Sequence, residues 1–323
     1  MNSIRDLLIA CVLGVLLLAG APAFATAEPL LSAVELAARS AEPTLRIVDI
    51  RARDAAADAP NAPAFSRGHI PGGLSAPYAQ WRGPKDNPGA LPDAAKLTAL
   101  IQSLGIDAST PVVVVYEGSD ATEFGAAARV YWTLKAAGLS QLAILNGGMK
   151  AWRAAGQPVT IEVRSVAPST YAVRWDERLI ATQDEVAQAA GNRQLIDARP
   201  APYFLGETKH TAARTPGTLV GAKNVTHDVW FVGDSATLQS PTDIRTTAEK
   251  VGIDTTQPTV SFCNTGHWAA TNWFVLSEVL GQSNVKLYPE SMVGWSRAGL
   301  PMVNVPTRLA QFWIQLKEAA GVM

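Results

Sequence analysis

Ile47-Val48-Asp49-Ile50-Arg51 returns further along the chain as Leu195-Ile196-Asp197-Ala198-Arg199. Each copy is a short apolar run closed by Asp-x-Arg. Working outward, Gly68-His69-Ile70-Pro71-Gly72-Gly73 answers to Gly217-Thr218-Leu219-Val220-Gly221-Ala222, and Leu104-Gly105-Ile106-Asp107 to Val251-Gly252-Ile253-Asp254. Met149, Trp152, Gly156 and Pro158 answer to Met292, Trp295, Gly299 and Pro301. The matches keep one order and nearly one offset. A period this long signifies two duplicated domains rather than a solenoid of small repeats.

Within each half, short apolar runs alternate with helix-like stretches. Residues 112–116 read as a buried strand after Pro111, and residues 124–137 as a helix stopped by Gly138. In the second half, residues 260–262 read as a shorter strand. Residues 269–280 follow as a helix with Ala269, Trp273, Leu276 and Leu280 near one face and Gly281 as its stop. Such alternation predicts α/β domains, each a mainly parallel sheet flanked by helices. Residues 159–163 alternate like an edge strand, and Ala167-Pro168-Ser169-Thr170 reads as linker. The expected division is therefore 28–164 and 165–323.

The chain has 323 residues, 48% of them apolar and 17% charged, with a formal net charge of -1. That suffices for two ordinary cores and offers no basic field for nucleic acid or anionic lipid. Arg5 precedes an apolar run over residues 7–19. Gly20, Pro22 and Ala23-Phe24-Ala25 follow, the pattern of a cleaved export signal over residues 1–25. Cleavage is expected after Ala25, or else after Ala27. The run is too short for a comfortable membrane span, so no stable membrane association is expected after cleavage. In a Gram-negative host the destination would be the periplasm.

Only Cys11 and Cys263 are present, and Cys11 leaves with the signal. The mature chain then holds one thiol and can form no internal disulfide. Cys263 opens Cys263-Asn264-Thr265-Gly266-His267-Trp268, between a strand end and a helix start. Ligands in α/β sheets bind beyond the carboxyl ends of strands. A short turn there can curl backbone N–H groups into an anion nest, and the helix start adds positive potential, both favouring a thiolate. Gly266 permits the tight turn, while Thr265 and His267 can donate hydrogen bonds to sulfur or to an anionic substrate. A free cysteine is more often a small buried hydrophobe. Polar neighbours in a strand-to-helix loop argue for chemistry here.

On these motifs the chain resembles the rhodanese superfamily in its tandem-domain form, over roughly residues 30–303. The resemblance implies two rhodanese-like domains with the active site between them, the first without the cysteine and serving as a structural partner. Aligning Val114-Val115-Tyr116-Glu117 on Val260-Ser261-Phe262-Cys263 puts Glu117 at the cysteine's place. The implied reaction moves sulfane sulfur from thiosulfate to a thiophilic acceptor such as cyanide or a thiol, a protein thiol included, through a Cys263 persulfide. Mercaptopyruvate is the alternative donor. No metal or organic cofactor is implied. Asp197 and Arg199 would brace the loop. Where relatives often carry a substrate-binding arginine, Tyr203 stands here. Lys209, His210 and Arg214 then become candidates to hold the donor anion. His69 and His227 read as structural, and Trp152 and Trp295 as core aromatics.

Two rival chemistries fit less well. A cysteine phosphatase needs Cys-x5-Arg to clamp its phosphate, and position 269 is Ala. A metal enzyme needs grouped ligands, and the four histidines are scattered. The non-enzyme alternative is a persulfide carrier or redox interaction module that hands sulfur to one partner with little small-molecule turnover.

Overall fold

Both Asp-x-Arg strands lie inside parallel sheets, next to the strand that leads to each half's functional loop. The computed structural model describes residues 28–51, 64–189 and 191–307; the expected export signal lies outside them. The first sheet holds β1 (Leu30–Leu31), β2 (Arg46–Asp49), β3 (Gly73–Ser75), β4 (Val112–Val115) and β5 (Leu142–Leu145), in the order β1-β5-β4-β2-β3. All its pairings are parallel. The second holds β6 (Gln194–Asp197), β8 (Lys223–Asn224), β9 (Thr259–Phe262) and β10 (Val285–Leu287), in the parallel order β10-β9-β6-β8. A small antiparallel pair, β7 (Thr218–Leu219) with β11 (Met302–Val303), lies beside it. The four valines of β4 are all buried, as a strand covered on both faces requires.

Helices α1 (Ala33–Arg39), α2 (Ala94–Ser103), α3 (Ala121–Ala136) and α4 (Gly148–Ala154) belong to the first half. Helices α5 (Gln183–Ala187), α6 (Ala201–Phe204), α7 (Pro241–Lys250), α8 (Trp268–Phe274) and α9 (Ser291–Arg297) belong to the second. The duplication reaches the helix caps. Ser32 and Glu35 form a full capping box on α1, and Thr182 and Glu185 form another on α5. Trp152 donates its indole N–H to the Pro158 carbonyl at 2.8 Å, and Trp295 donates to that of Pro301 at 3.0 Å. The repeated Trp-to-Pro spacing is thus a buried hydrogen bond that ties down the chain after α4 and after α9.

The halves meet along α3 and α8. Phe124 and Tyr131 of α3 meet Phe274 edge to face at 5.6 and 5.0 Å between ring centroids. Lys135 Nζ and the Tyr131 hydroxyl both reach Glu278 Oε2 at 2.6 Å. One apolar cluster runs through both halves and includes Cys263.

Two expectations need correction. The helix expected over 269–280 is α8 followed by a π-helical stretch, Val275–Val279. The edge strand expected over 159–163 shrinks to one bridge between Thr160 and His69. Thr160 Oγ1 takes the Glu162 N–H locally, which diverts it from the ladder that the bridge begins. The division near 165 falls within an extended segment that still packs on the first half, through Ser169 to Gln102 and Ile106 and through Asp176 to Ala136. Backbone bonding to the second sheet starts at Leu179, whose carbonyl accepts from Leu287 N–H.

Candidate functional site

The loop after β9 is held from three sides. From below, α9 caps it: Met292 N–H donates to the Cys263 carbonyl at 3.0 Å and Val293 N–H to that of Asn264 at 3.1 Å. Ser291, fully buried, accepts from Cys263 N–H at 3.0 Å and Gly266 N–H at 3.2 Å, and donates to the Tyr288 carbonyl at 2.8 Å. Its φ of 51° is a left-handed conformation rare outside glycine. Gly148 holds the same place in the first half with φ 59°. A glycine-like turn has thus acquired a hydroxyl where the cysteine needs one.

From the side, Arg199 reaches the loop through Asn264. Its guanidinium pairs with Asp197 at 2.6 and 2.9 Å, donates to the Gly217 carbonyl at 2.9 Å and reaches Asn264 Oδ1 at 3.4 Å. Thr218 adds its hydroxyl to Asp197 at 2.7 Å. Arg199 is buried and fully engaged within the protein.

The same brace recurs in the first half and corrects one alignment. Arg51 pairs with Asp49, donates to Gly68 O at 2.8 Å and reaches Glu117 at 2.9 Å. Met149 N–H donates to Tyr116 O, where Met292 N–H donates to Cys263 O. Sheet register agrees: Asp49 pairs with Val115 and Asp197 with Phe262. Tyr116, not Glu117, therefore occupies the cysteine's place, and Glu117 matches Asn264. The one-residue slip arose because apolar strands align equally well in neighbouring registers. The Tyr116 hydroxyl spans the interface to the Ala236 carbonyl at 2.7 Å.

The third side is the first half itself. Tyr78 donates its hydroxyl to His267 Nδ1 at 2.8 Å, and His267 Nε2 faces the Thr122 carbonyl at 2.7 Å. A carbonyl can only accept, so the ring carries its proton on Nε2. Desolvation, with Arg82 close by, pushes the His267 pKa down to about 3. The ring is a neutral strut across the interface, and both nitrogens are spent on protein partners. Arg82 donates to the Thr265 carbonyl at 2.9 Å and also to the Tyr78 hydroxyl. Arg129, 0% exposed, donates to Thr265 O at 3.2 Å, Gly266 O at 3.3 Å and Gly89 O at 2.9 Å. Gly266 has φ 66°, and a Cβ there would strike Arg129 and the Pro289 carbonyl. Gly125 likewise makes room for the His267 ring.

Cys263 sits at the centre, 1% exposed. Among the described residues, the N–H groups of Asn264, Thr265, His267 and Trp268 have no protein acceptor. These unmet donors, just after the cysteine, suit a thiolate or an anion bound there. His227 stacks on Trp268 at 4.9 Å, and Tyr203 meets Trp268 edge to face at 5.9 Å. His227 and Tyr78 are equivalent positions, each donating its backbone N–H to the carbonyl after the Asp-x-Arg aspartate. One from each half flanks the loop.

The residues put forward as anion holders separate in space. Burial, then Arg82 and Lys209, push the His210 pKa down, and its Nδ1 accepts from Ala212 N–H at 3.1 Å. Tyr203 edges the loop through Trp268. The Arg214 side chain is exposed, with its backbone N–H held by Ser296. Sequence reasoning missed Tyr78, Arg82, Arg129 and Ser291. Ser291 alone left a signal, as the non-glycine partner of Gly148 beside the matched Met292. Among the described residues, no His, Cys, Asp and Glu side chains group as a metal site.

Residues 32–155 and 182–298 each match the family described as Rhodanese-like domain. A protein of Saccharopolyspora erythraea named "Putative thiosulfate sulfurtransferase" is 30% identical over 259 residues, spanning 75% of this chain and 86% of that one. The sulfur carrier protein TtuD of Thermus thermophilus is 29% identical, over 74% of this chain and 86% of its own. The solved 3-mercaptopyruvate sulfurtransferase of Leishmania major superposes with a TM-score of 0.67 at 25% identity, covering 84% of this chain and 74% of that one. With the domain matched twice, across most of its length, this chain belongs to the rhodanese-like domain family.

Proposed function

We propose that the chain is a sulfurtransferase that carries sulfane sulfur on Cys263. The observation that carries this reading is the placement of Cys263. It is buried at the end of a central strand, at the head of a loop rich in unpaired N–H groups and gripped by two arginines. The Cys263 thiolate attacks the outer sulfur of thiosulfate. A new S–S bond forms, the donor's S–S bond breaks, and sulfite departs with the electron pair. A nucleophilic acceptor, cyanide or a thiolate, then takes the outer sulfur and restores the Cys263 thiolate. Two half-reactions on one covalent intermediate give ping-pong kinetics. Tyr203 lies beside Trp268 of the loop, and Lys209, His210 and Arg214 are the proposed holders of the donor anion, while Thr265 and Gly266 shape the loop. Thiocyanate release from thiosulfate and cyanide, with parallel double-reciprocal lines, is the expected result. Intersecting lines, or unchanged turnover in Cys263→Ser, would contradict it.

A carrier role is the second reading, favoured by the near-complete burial of Cys263 and by the likeness to a sulfur carrier protein. It predicts stoichiometric loading without turnover on cyanide, and transfer to a protein thiol instead. Mercaptopyruvate in place of thiosulfate tests the donor; the likeness to a 3-mercaptopyruvate sulfurtransferase motivates that arm. We also propose that the protein is exported through residues 1–25, on the strength of Arg5, the apolar run and Ala23-Phe24-Ala25. The exported form should begin at Thr26. A cell-associated protein that keeps Met1 would contradict this.

A further inference from the structure

Arg82 and Arg129, both from the first half, converge on a single atom of the sulfur loop. Arg82 Nη2 donates to the Thr265 carbonyl at 2.9 Å, and Arg129 Nη1 donates to the same oxygen at 3.2 Å. Among the described residues, neither makes an ion pair. The Arg129 side chain is fully buried, and its Nε–H has no partner. Two like charges this close oppose one another, and burial of an unbalanced charge is costly.

The other charged and titratable groups around the loop do not provide balance. Asp197 is committed to Arg199 and Thr218. Glu117 lies between Arg51 and Arg153. Glu290 accepts from Asn87 and, among the described residues, makes no ion pair with either arginine. Burial pushes the pKa values of His227 and His267 down, so both rings are neutral at pH 7, and it pushes that of Tyr78 up, so the phenol keeps its proton. Burial, then Arg82, push the Arg129 pKa down to about 9; Tyr78, which keeps its proton, and the sulfur of Cys263 are the groups whose negative charge would oppose that.

We propose that Arg82 and Arg129 are the paired counter-cations of anionic sulfur at Cys263, as thiolate at rest and as persulfide when loaded. They act through the loop as positioning residues. The inference rests on the reading of Cys263 as the sulfur-bearing atom and deepens it: the half without a cysteine supplies the charge that keeps the cysteine of the other half ionised.

The test is the pH profile of iodoacetamide alkylation at Cys263, read by peptide mass spectrometry on the whole protein. No sulfur donor is needed, so the result is independent of whether thiosulfate is the substrate. Arg82→Gln and Arg129→Gln should each move the alkylation midpoint upward by about one pH unit or more, a tenfold change in the ionisation constant, and slow alkylation at pH values below the wild-type midpoint by about tenfold. Arg82→Lys and Arg129→Lys, which keep the charge and lose the fork, should stay within about threefold of wild type. Arg82 is only partly buried, so its glutamine variant should keep the fold even if Arg129→Gln does not. A wild-type midpoint in Arg82→Gln overturns the proposal. Equal shifts in Arg82→Gln and Arg82→Lys overturn it as well, because geometry rather than charge would then be the cause.

Discussion

Ser291 shows how one side chain can carry a site. It accepts a left-handed backbone that glycine holds in the sister domain, and its hydroxyl fastens both ends of the sulfur loop. Ser291→Ala leaves two buried N–H groups without an acceptor and keeps the strain. A loss of about 1–3 kcal/mol in urea unfolding is expected, with slower sulfur loading. Ser291→Gly relieves the backbone and should lose less. His267 makes a separate pH prediction. Its folded pKa, about 3, lies below the ordinary histidine value, so the unfolded chain binds the extra proton first. Its contribution to stability is complete above about pH 6.5 and fades as pH falls toward 3. The urea midpoint should therefore drop between pH 7 and pH 5 by less in His267→Gln than in wild type; equal drops would refute the strut role. Cys263, Asn264 and the Asp197–Arg199 brace were legible in the sequence because each lies within a few residues of a repeated motif. Tyr78, Arg82 and Arg129 were not. Each meets the loop from more than a hundred residues away, and no local pattern encodes that meeting.

At the level of elements, the loop works because α3, α8 and α9 meet with almost no spare room. Gly266 is the tightest point, closed in by Arg129 and Pro289 and left-handed besides. Gly266→Ala should cost more than about 1 kcal/mol, since both the conformation and the space oppose a methyl group. Thermal unfolding of the purified variant measures this, and an unchanged midpoint would show that the loop can relax. Most strands and helices could be read from the sequence, since apolar runs of β type alternate with amphipathic stretches bounded by glycine. The π-helical stretch at Val275–Val279 could not. It lies where the chain beyond α8 still faces α3 and Glu278 meets Lys135 and Tyr131. The edge strand failed for a local reason: alternation is silent on whether a side chain, here the Thr160 hydroxyl, takes a backbone N–H that the ladder would need.

Across the whole molecule, duplication has produced division of labour. One half keeps the cysteine, and the other keeps the fold and supplies charge, a phenol and a wall. Because one apolar cluster runs through both, the halves should unfold together. Calorimetry should show a single transition, and Phe274→Ala, which empties the centre of the α3–α8 contact, should lower stability by about 3–5 kcal/mol without splitting it. Two resolved transitions would mean that the interface is weaker than its packing suggests. The tandem architecture was legible from the repeat alone, whereas the dependence of one half on the other emerged only in three dimensions. The central claim, that Cys263 bears the sulfur, is open to one direct measurement: incubate the purified protein with excess thiosulfate, desalt it and take its intact mass beside Cys263→Ser. Wild type should gain one sulfur atom, lost again on adding cyanide, and the variant should gain none. Equal gain in both proteins, or none in wild type with either thiosulfate or mercaptopyruvate, would contradict the account.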